Sequence, residues 1–258
     1  MNLDHNFEKI LNNNNCFYHS SKKGIEGKIR PDFNDKDKKR DFGGGFYLGD
    51  KKLQTISLVN SYPNAKLYEI EIPKDIMNKD NTLFLTKNDW VYYVLYNRGY
   101  LQPVKDTYFY NYYANISNDK DFVIGSIADD VFSTCMKDFA NGVITDYMFM
   151  QLIDCYSYGN QIAAKTNKAC ESLIIKSEKA LTTEDRMNSL STRKMTRATQ
   201  ETDYIQRRAK LLIERKGQFI GEIFDDILKK KKEITSPYVT KDIRNLYFET
   251  PIHDMPGF

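Results

Sequence analysis

Asp41-Phe42-Gly43-Gly44-Gly45-Phe46-Tyr47-Leu48-Gly49 is the stretch on which the reading of the fold turns. Three consecutive glycines let the chain bend sharply and let its backbone approach another group, because glycine lacks the Cβ that closes most of backbone dihedral space. Phe46-Tyr47-Leu48 then reads as a brief strand with glycine on both sides. Upstream, residues 21–44 are rich in Lys, Asp and Gly around Pro31 and read as a mobile loop, not a packed element. Before that loop, Cys16-Phe17-Tyr18-His19 is a short buried strand. Phe7, Ile10 and Leu11 mark an amphipathic segment that the polar run Asn12–Asn15 separates from it.

Downstream, Asp50 is a capping-type residue, and Leu53, Ile56 and Val59 recur at helical spacing to about Tyr62. Residues 65–72 alternate as a strand that Pro73 ends. Asn88 is placed to cap a helix from Trp90 to Arg98, which Gly99 stops. Residues 100–118 form a Tyr- and Asn-rich connection without a clear period. Phe122-Val123-Ile124-Gly125 is another strand, followed by a helix over Ala128–Phe139 that ends at Asn141-Gly142. Thr145 caps a helix through Cys155, and the short strands Gln161–Ala163 and Ser172–Ile175 flank a turn at Thr166–Ala169. Short strands mixed irregularly with helices predict an α+β fold, not a doubly wound sheet.

After Lys179 the character changes. Strand and turn signals stop and charge rises, while Leu211, Leu212, Ile213, Ile220, Ile223, Phe224, Ile227 and Leu228 mark an amphipathic helix interrupted at Gly217 and Gly221. Lys229–Lys232 close it with charge that suits a helix C-terminus. Pro237, Pro251 and Pro256 give an extended tail. Residues 1–179 therefore read as an α+β domain, and 180–258 as a helical, charged C-terminal extension.

The 258 residues are 41% hydrophobic and 28% charged, enough for a buried core and unlike a disordered chain. A net charge of +3 does not by itself demand nucleic acid, so any basic surface must come from local clustering. The four cysteines (Cys16, Cys135, Cys155, Cys170) have no paired metal-ligand spacing and read as small buried hydrophobes, and with three histidines no metal site is expected. No apolar signal stretch opens the chain, and no run approaches the about 20 apolar residues of a membrane span. The expectation is a soluble, reduced, cytoplasmic protein with no membrane partner.

Four stretches carry the chemistry: Phe17-Tyr18-His19-Ser20-Ser21, Asp41 to Leu48, Ile124-Gly125-Ser126-Ile127-Ala128-Asp129-Asp130, and Tyr158-Gly159-Asn160-Gln161. In this order and with these gaps, residues 16–175 resemble an uncharacterised bacterial domain family of the ADP-ribosyltransferase superfamily. The resemblance implies a split mixed/antiparallel β core with surrounding helices, and NAD⁺ as the donor of ADP-ribose to a macromolecule. It implies His19, Tyr47 and Gln161 as the catalytic set, with His19, Ser20, Arg40, Phe46, Tyr47 and Gln161 against NAD⁺. It also implies a setting as an intracellular toxin or anti-phage effector. Ser20 and Gly49 stand where the family usually has glycine and threonine.

The residue types suit that chemistry. Cleaving the nicotinamide–ribose bond develops positive charge on the ribose, as in glycoside hydrolysis. A histidine can hold a ribose hydroxyl, and an aromatic face attracts the cationic nicotinamide ring. Gln161 can bind a hydroxyl but can neither act as a base nor supply a negative charge. Asp129 and Asp130 are candidates for activating the acceptor, although capping the following helix is a sufficient role for them. Arg193, Lys194, Arg197, Arg207, Arg208, Lys210, Arg215, Lys216 and Lys229–Lys232 are interspersed with acidic residues; they form either a solvated helical face or a surface for a phosphate-rich acceptor, RNA ahead of protein. Two alternatives stay open: a non-catalytic nucleotide- or partner-binding module on the same fold, and an NAD⁺ glycohydrolase using water. Residues 180–258 are then free to cover the site, to bind a neutralising antitoxin partner, or to dimerise.

Overall fold

The computed structural model describes residues 16–32, 40–128, 130–153, 159–214 and 220–232. The N-terminal amphipathic segment, Asp129, Cys155, Tyr158, Gly217 and the proline-bearing tail lie outside the described residues. The chain divides into two compact units, one of residues 1–97, 116–127 and 158–197, the other of 98–115, 128–157 and 198–258.

The first unit holds a mixed seven-stranded sheet, as an α+β chain requires. Its strands are β1 (Cys16–Ser21), β2 (Phe46–Gly49), β3 (Lys66–Glu71), β4 (Thr82–Phe84), β5 (Phe122–Ser126), β6 (Asn160–Ala164) and β7 (Ile174–Ala180). They lie in the order β4-β5-β6-β2-β1-β3-β7. Only β4 and β5 run parallel; every other neighbouring pair is antiparallel. The β1–β3 ladder runs from Cys16–Glu71 to Ser21–Lys66, and the β2–β6 ladder from Phe46–Ala164 to Gly49–Gln161. In contrast, β1 and β2 meet at the single ladder pair Tyr18–Gly49 among the described residues. A seam therefore runs down the middle of the sheet, with β4-β5-β6-β2 on one side and β1-β3-β7 on the other.

Alternate residues of a strand face opposite sides of its sheet, and this sorts the core. Phe17, Phe46, Leu48, Tyr68, Ile70, Phe122, Ile124 and Ile162 form one buried cluster. Leu67, with Tyr18 partly buried beside it, meets Ile56, Val59, Ala65 and Leu181 in a cluster on the other face. Each such apolar side chain contributes roughly 1.5–3 kcal/mol on burial, so a one-residue slip of register would be severely unfavourable.

Several local expectations change. Helix α1 covers only Lys52–Ser57 and starts from Lys51, without a side-chain cap. Asp50 instead accepts hydrogen bonds from the Asn160 backbone N–H and side-chain amide, so its carboxylate ties β2 to β6. Helix α2 (Lys87–Asn97) begins one turn before Trp90, with Asn88 inside it, and Thr86 accepts from the Asp89 N–H. The short strand β4 carried no legible signal. Of the loop before β2, residues 33–39 lie outside the described residues, and on either side of them Ile29 and Phe42 are buried. Thr166 caps α6 (Asn167–Glu171), and β7 runs on to Ala180.

In the second unit, residues 98–115 contain a 3₁₀ turn (Gln102–Val104) and helix α3 (Tyr108–Asn115), in the connection whose sequence shows no clear period. Helices α4 (Asp130–Ala140), α5 (Asp146–Ile153) and α8 (Phe224–Lys232) meet through aromatic rings. Phe139 stacks on Phe149 at 4.8 Å between ring centroids and tilts against Phe224 at 5.0 Å. Lys231, one of the four lysines that close this helix, is buried with its ammonium over the Phe109 ring, so it belongs neither to a solvated face nor to an open basic surface. Helix α7 (Thr183–Ile213) starts in the first unit and ends in the second. No helix among the described residues is long and apolar enough to cross a membrane.

Gly125 of β5 has no room for a side chain: a Cβ there would lie 2.8 Å from Phe42 and 3.0 Å from Trp90. Gly125→Ala is expected to destabilise the protein by about 1–3 kcal/mol through overpacking. Urea denaturation checks this, and an unchanged midpoint would contradict it.

Candidate functional site

His19 lies on β1 one residue beyond the pair that joins the two halves of the sheet. Its Nδ1 is 2.8 Å from the Tyr47 carbonyl oxygen on β2, so a side chain bridges the seam where the backbone ladder stops. A carbonyl only accepts, so Nδ1 carries the proton, and in the neutral ring Nε2 is left as an acceptor. No further hydrogen bond to this ring occurs among the described residues. The imidazole stacks on Phe46 at 4.1 Å and lies 6.1 Å from the Tyr68 ring. Burial, reinforced by the nearby Arg40 charge and opposed by the bond to Tyr47, brings its pKa down from 6.5 to about 4. At neutral pH His19 is a fixed, uncharged hydrogen-bond acceptor.

Tyr47 is the next residue along β2 from Phe46 and so points to the opposite face. Its hydroxyl donates to the Gly43 carbonyl at 2.6 Å and accepts from the Phe42 N–H at 3.1 Å. Burial raises its pKa far above the ordinary value, and the neighbouring Asp41 charge adds to that. The phenol is thus a latch on the glycine loop. Gly43 takes φ +70°, which glycine adopts without strain, and its N–H closes a turn onto the Arg40 carbonyl at 3.2 Å. The Arg40 guanidinium sits 5.6 Å from the Tyr47 ring centroid, bonds the Gly45 carbonyl, and pairs with Asp32 at 2.7 Å.

Gln161 is paired with Gly49 on one side and Gly125 on the other, so no cross-strand side chain stands beside it. Its Nε2 donates to Asp41 Oδ2 at 2.9 Å and to the Ser126 carbonyl at 3.2 Å. Both partners accept, which fixes the amide orientation and leaves Oε1 as the presented atom. The Ser20 hydroxyl donates to the Thr55 carbonyl at 2.7 Å.

The expected residues therefore fall into two groups. His19 and Phe46 share one face of the sheet at the seam; Tyr47 and Gln161 share the other. Arg40 acts electrostatically on both His19 and Tyr47. No hydrogen bond joins His19 to Gln161 among the described residues. Asp129 lies outside the described residues, as does the side chain of Asp130.

Three participants escaped the sequence reading. Asp41 contacts Gln161, although it stands in the quoted motif itself; a carboxylate next to a glycine turn was the available signal. Asn97 holds the Asp41 carbonyl at 3.1 Å, and Lys165 donates to the Phe42 carbonyl. Burial lowers the Lys165 pKa to about 8. Their distance in sequence from residues 41–43 left nothing local to read. Among the described residues no group of three or more His, Cys, Asp or Glu is placed to hold a metal.

Residues 16–174 match the family described as protein of unknown function, DUF3990, and the chain belongs to that family. Comparison with curated proteins gave no match.

Two outcomes follow from these bonds. Tyr47→Phe keeps the ring but removes both latch bonds, and is expected to cost about 1–3 kcal/mol of stability, seen as a lower urea midpoint. The lowered His19 pKa means the unfolded chain binds the proton first as pH falls. Its contribution is fully present above about pH 6.5 and is lost as pH falls towards about 4. Asn at position 19 can donate to the Tyr47 carbonyl without titrating. The stability advantage of wild type over His19→Asn should therefore shrink from pH 7.5 to 4.5; an advantage independent of pH would contradict the assignment.

Proposed function

We propose that this protein is a mono-ADP-ribosyltransferase that takes ADP-ribose from NAD⁺, on a split-sheet fold of the ADP-ribosyltransferase kind. The observation that carries the reading is His19: neutral, locked by Nδ1 to the Tyr47 carbonyl across the seam, with Nε2 left to accept from a hydroxyl. A ribose hydroxyl is a donor of the matching kind, and a neutral acceptor does not repel the positive charge that develops on the sugar. Phe46, stacked on the imidazole, and Tyr68 give the aromatic surroundings that suit a flat cationic ring. Gln161 pairs with Gly49, which pairs in turn with Tyr18 beside His19, so a sugar lodged in the seam where that ladder stops comes between the two faces, and Gln161 Oε1 is a second fixed acceptor for it. In the reaction the bond between ribose C1′ and the nicotinamide nitrogen breaks and its electron pair leaves with nicotinamide. The acceptor nucleophile bonds to C1′, and its proton goes to solvent.

Tyr47 has a different part from the one its residue type first indicated. Its hydroxyl is spent on the glycine loop, and Arg40 already lies near its ring. We assign it to holding that loop, and Arg40 to the pyrophosphate of NAD⁺. For the acceptor, exposed Lys194 and Arg207 on α7 favour a phosphate-rich molecule such as RNA, while Arg208 and Lys210 pair with Asp138 and Glu214.

The test is incubation with NAD⁺ labelled in its ADP-ribose half, in separate pools of cellular protein, RNA and DNA. Label is expected in one pool, RNA first, with nicotinamide released. His19→Ala should lower both by at least about 100-fold while remaining folded. Nicotinamide without labelled macromolecule would replace the transferase by a hydrolase. Binding of NAD⁺ with no cleavage would leave a binding module.

A further inference from the structure

We propose that the carboxylate of Asp41 supplies, through its hydrogen bond to Gln161, the negative charge that steadies the ribose cation; this rests on the transferase reading above. Gln161 is neutral, so on its own it offers a developing cation only a dipole. The structure places a carboxylate directly behind that dipole: Asp41 Oδ2 accepts from Gln161 Nε2 at 2.9 Å. A charge on the amino side of an amide draws its hydrogens and enriches its oxygen, and Oε1 is the atom presented. The pair acts as one anionic acceptor spread over two side chains.

Asp41 is held for such a role from several directions. Its carbonyl accepts from the Asn97 side-chain amide at 3.1 Å, and Asn97 is itself fixed to the Tyr93 carbonyl at 2.9 Å. The turn closed by Gly43 onto Arg40 follows it, and the Tyr47 hydroxyl pins Phe42 and Gly43. Gln161 is fixed in turn by its second bond, to the Ser126 carbonyl. Neither member has to reorganise as charge develops, the condition under which a fixed charge is most effective. The proposal gives Asp41 no proton to carry: nicotinamide leaves with the electron pair of the broken bond, and the acceptor's proton still goes to solvent. Asp41 is a positioning residue that acts through Gln161.

Two variants separate charge from mere orientation. Asp41→Asn keeps an oxygen that accepts from Gln161 Nε2 and discards the charge; Asp41→Glu keeps the charge on a longer arm. Nicotinamide release from NAD⁺ is measured for wild type and both variants, with thermal unfolding as a check on folding. Asp41→Asn is expected to lose roughly 100-fold or more in kcat with KM for NAD⁺ within about threefold, and Asp41→Glu to retain clearly more activity. The order of the two decides. If Asn at 41 works as well as or better than Glu, the carboxylate only orients Gln161 and the proposal is overturned. Should Asp41→Asn fold poorly, Asp41→Glu alone still decides, because less than about a tenth of wild-type kcat in a folded protein overturns it. Wild-type protein that releases no nicotinamide sinks the transferase reading and this inference together, whereas active wild type with Asn equal to Glu sinks this inference alone.

Discussion

The hydrogen bond from His19 Nδ1 to the Tyr47 carbonyl is the interaction on which the rest of the site depends. The seven strands make a sheet that nearly comes apart between β1 and β2, where Tyr18–Gly49 is the one ladder pair. Backbone groups that leave a ladder need other partners or water. Here an imidazole takes one of them, and doing so fixes its tautomer, its orientation and the acceptor it shows outward. The break in the sheet and the chemistry of the histidine are one arrangement.

The glycine loop is the second half of it. Phe42 is buried, the Tyr47 hydroxyl holds Phe42 and Gly43, Asn97 holds Asp41, and Lys165 reaches the Phe42 carbonyl. A segment whose composition reads as mobile is thereby held by side chains from β2, α2 and the end of β6. Glycine's tolerance of positive φ serves the turn at Gly43, and that turn sets Asp41 against Gln161.

Much of this was legible in the sequence where the signal was local. The strands at 16–21, 46–49, 66–71, 122–126 and 160–164 show through their apolar residues and bounding glycines, and the α+β class follows from their irregular spacing. His19, Tyr47 and Gln161 come from the resemblance of the ordered motifs to a family, not from a local signal of their own. What could not be read depends on register and on contacts distant in sequence. Alternation puts Phe46 with His19 and Tyr47 with Gln161, and this only becomes clear once the ladders are known. Asp50 has the type of a helix cap, yet the strand beside it offers the Asn160 amide groups, and they win. Lys231 sits in a run of four lysines, and nothing in that run marks the one that α8 turns inward.

The most direct measurement of the central claim is a crystal structure with an uncleavable carbocyclic analogue of NAD⁺. The account predicts the nicotinamide-bearing ring at the seam between β1 and β2, with a ring hydroxyl within hydrogen-bond distance of His19 Nε2. An analogue bound elsewhere, or a His19 whose Nε2 carries the proton, would contradict it.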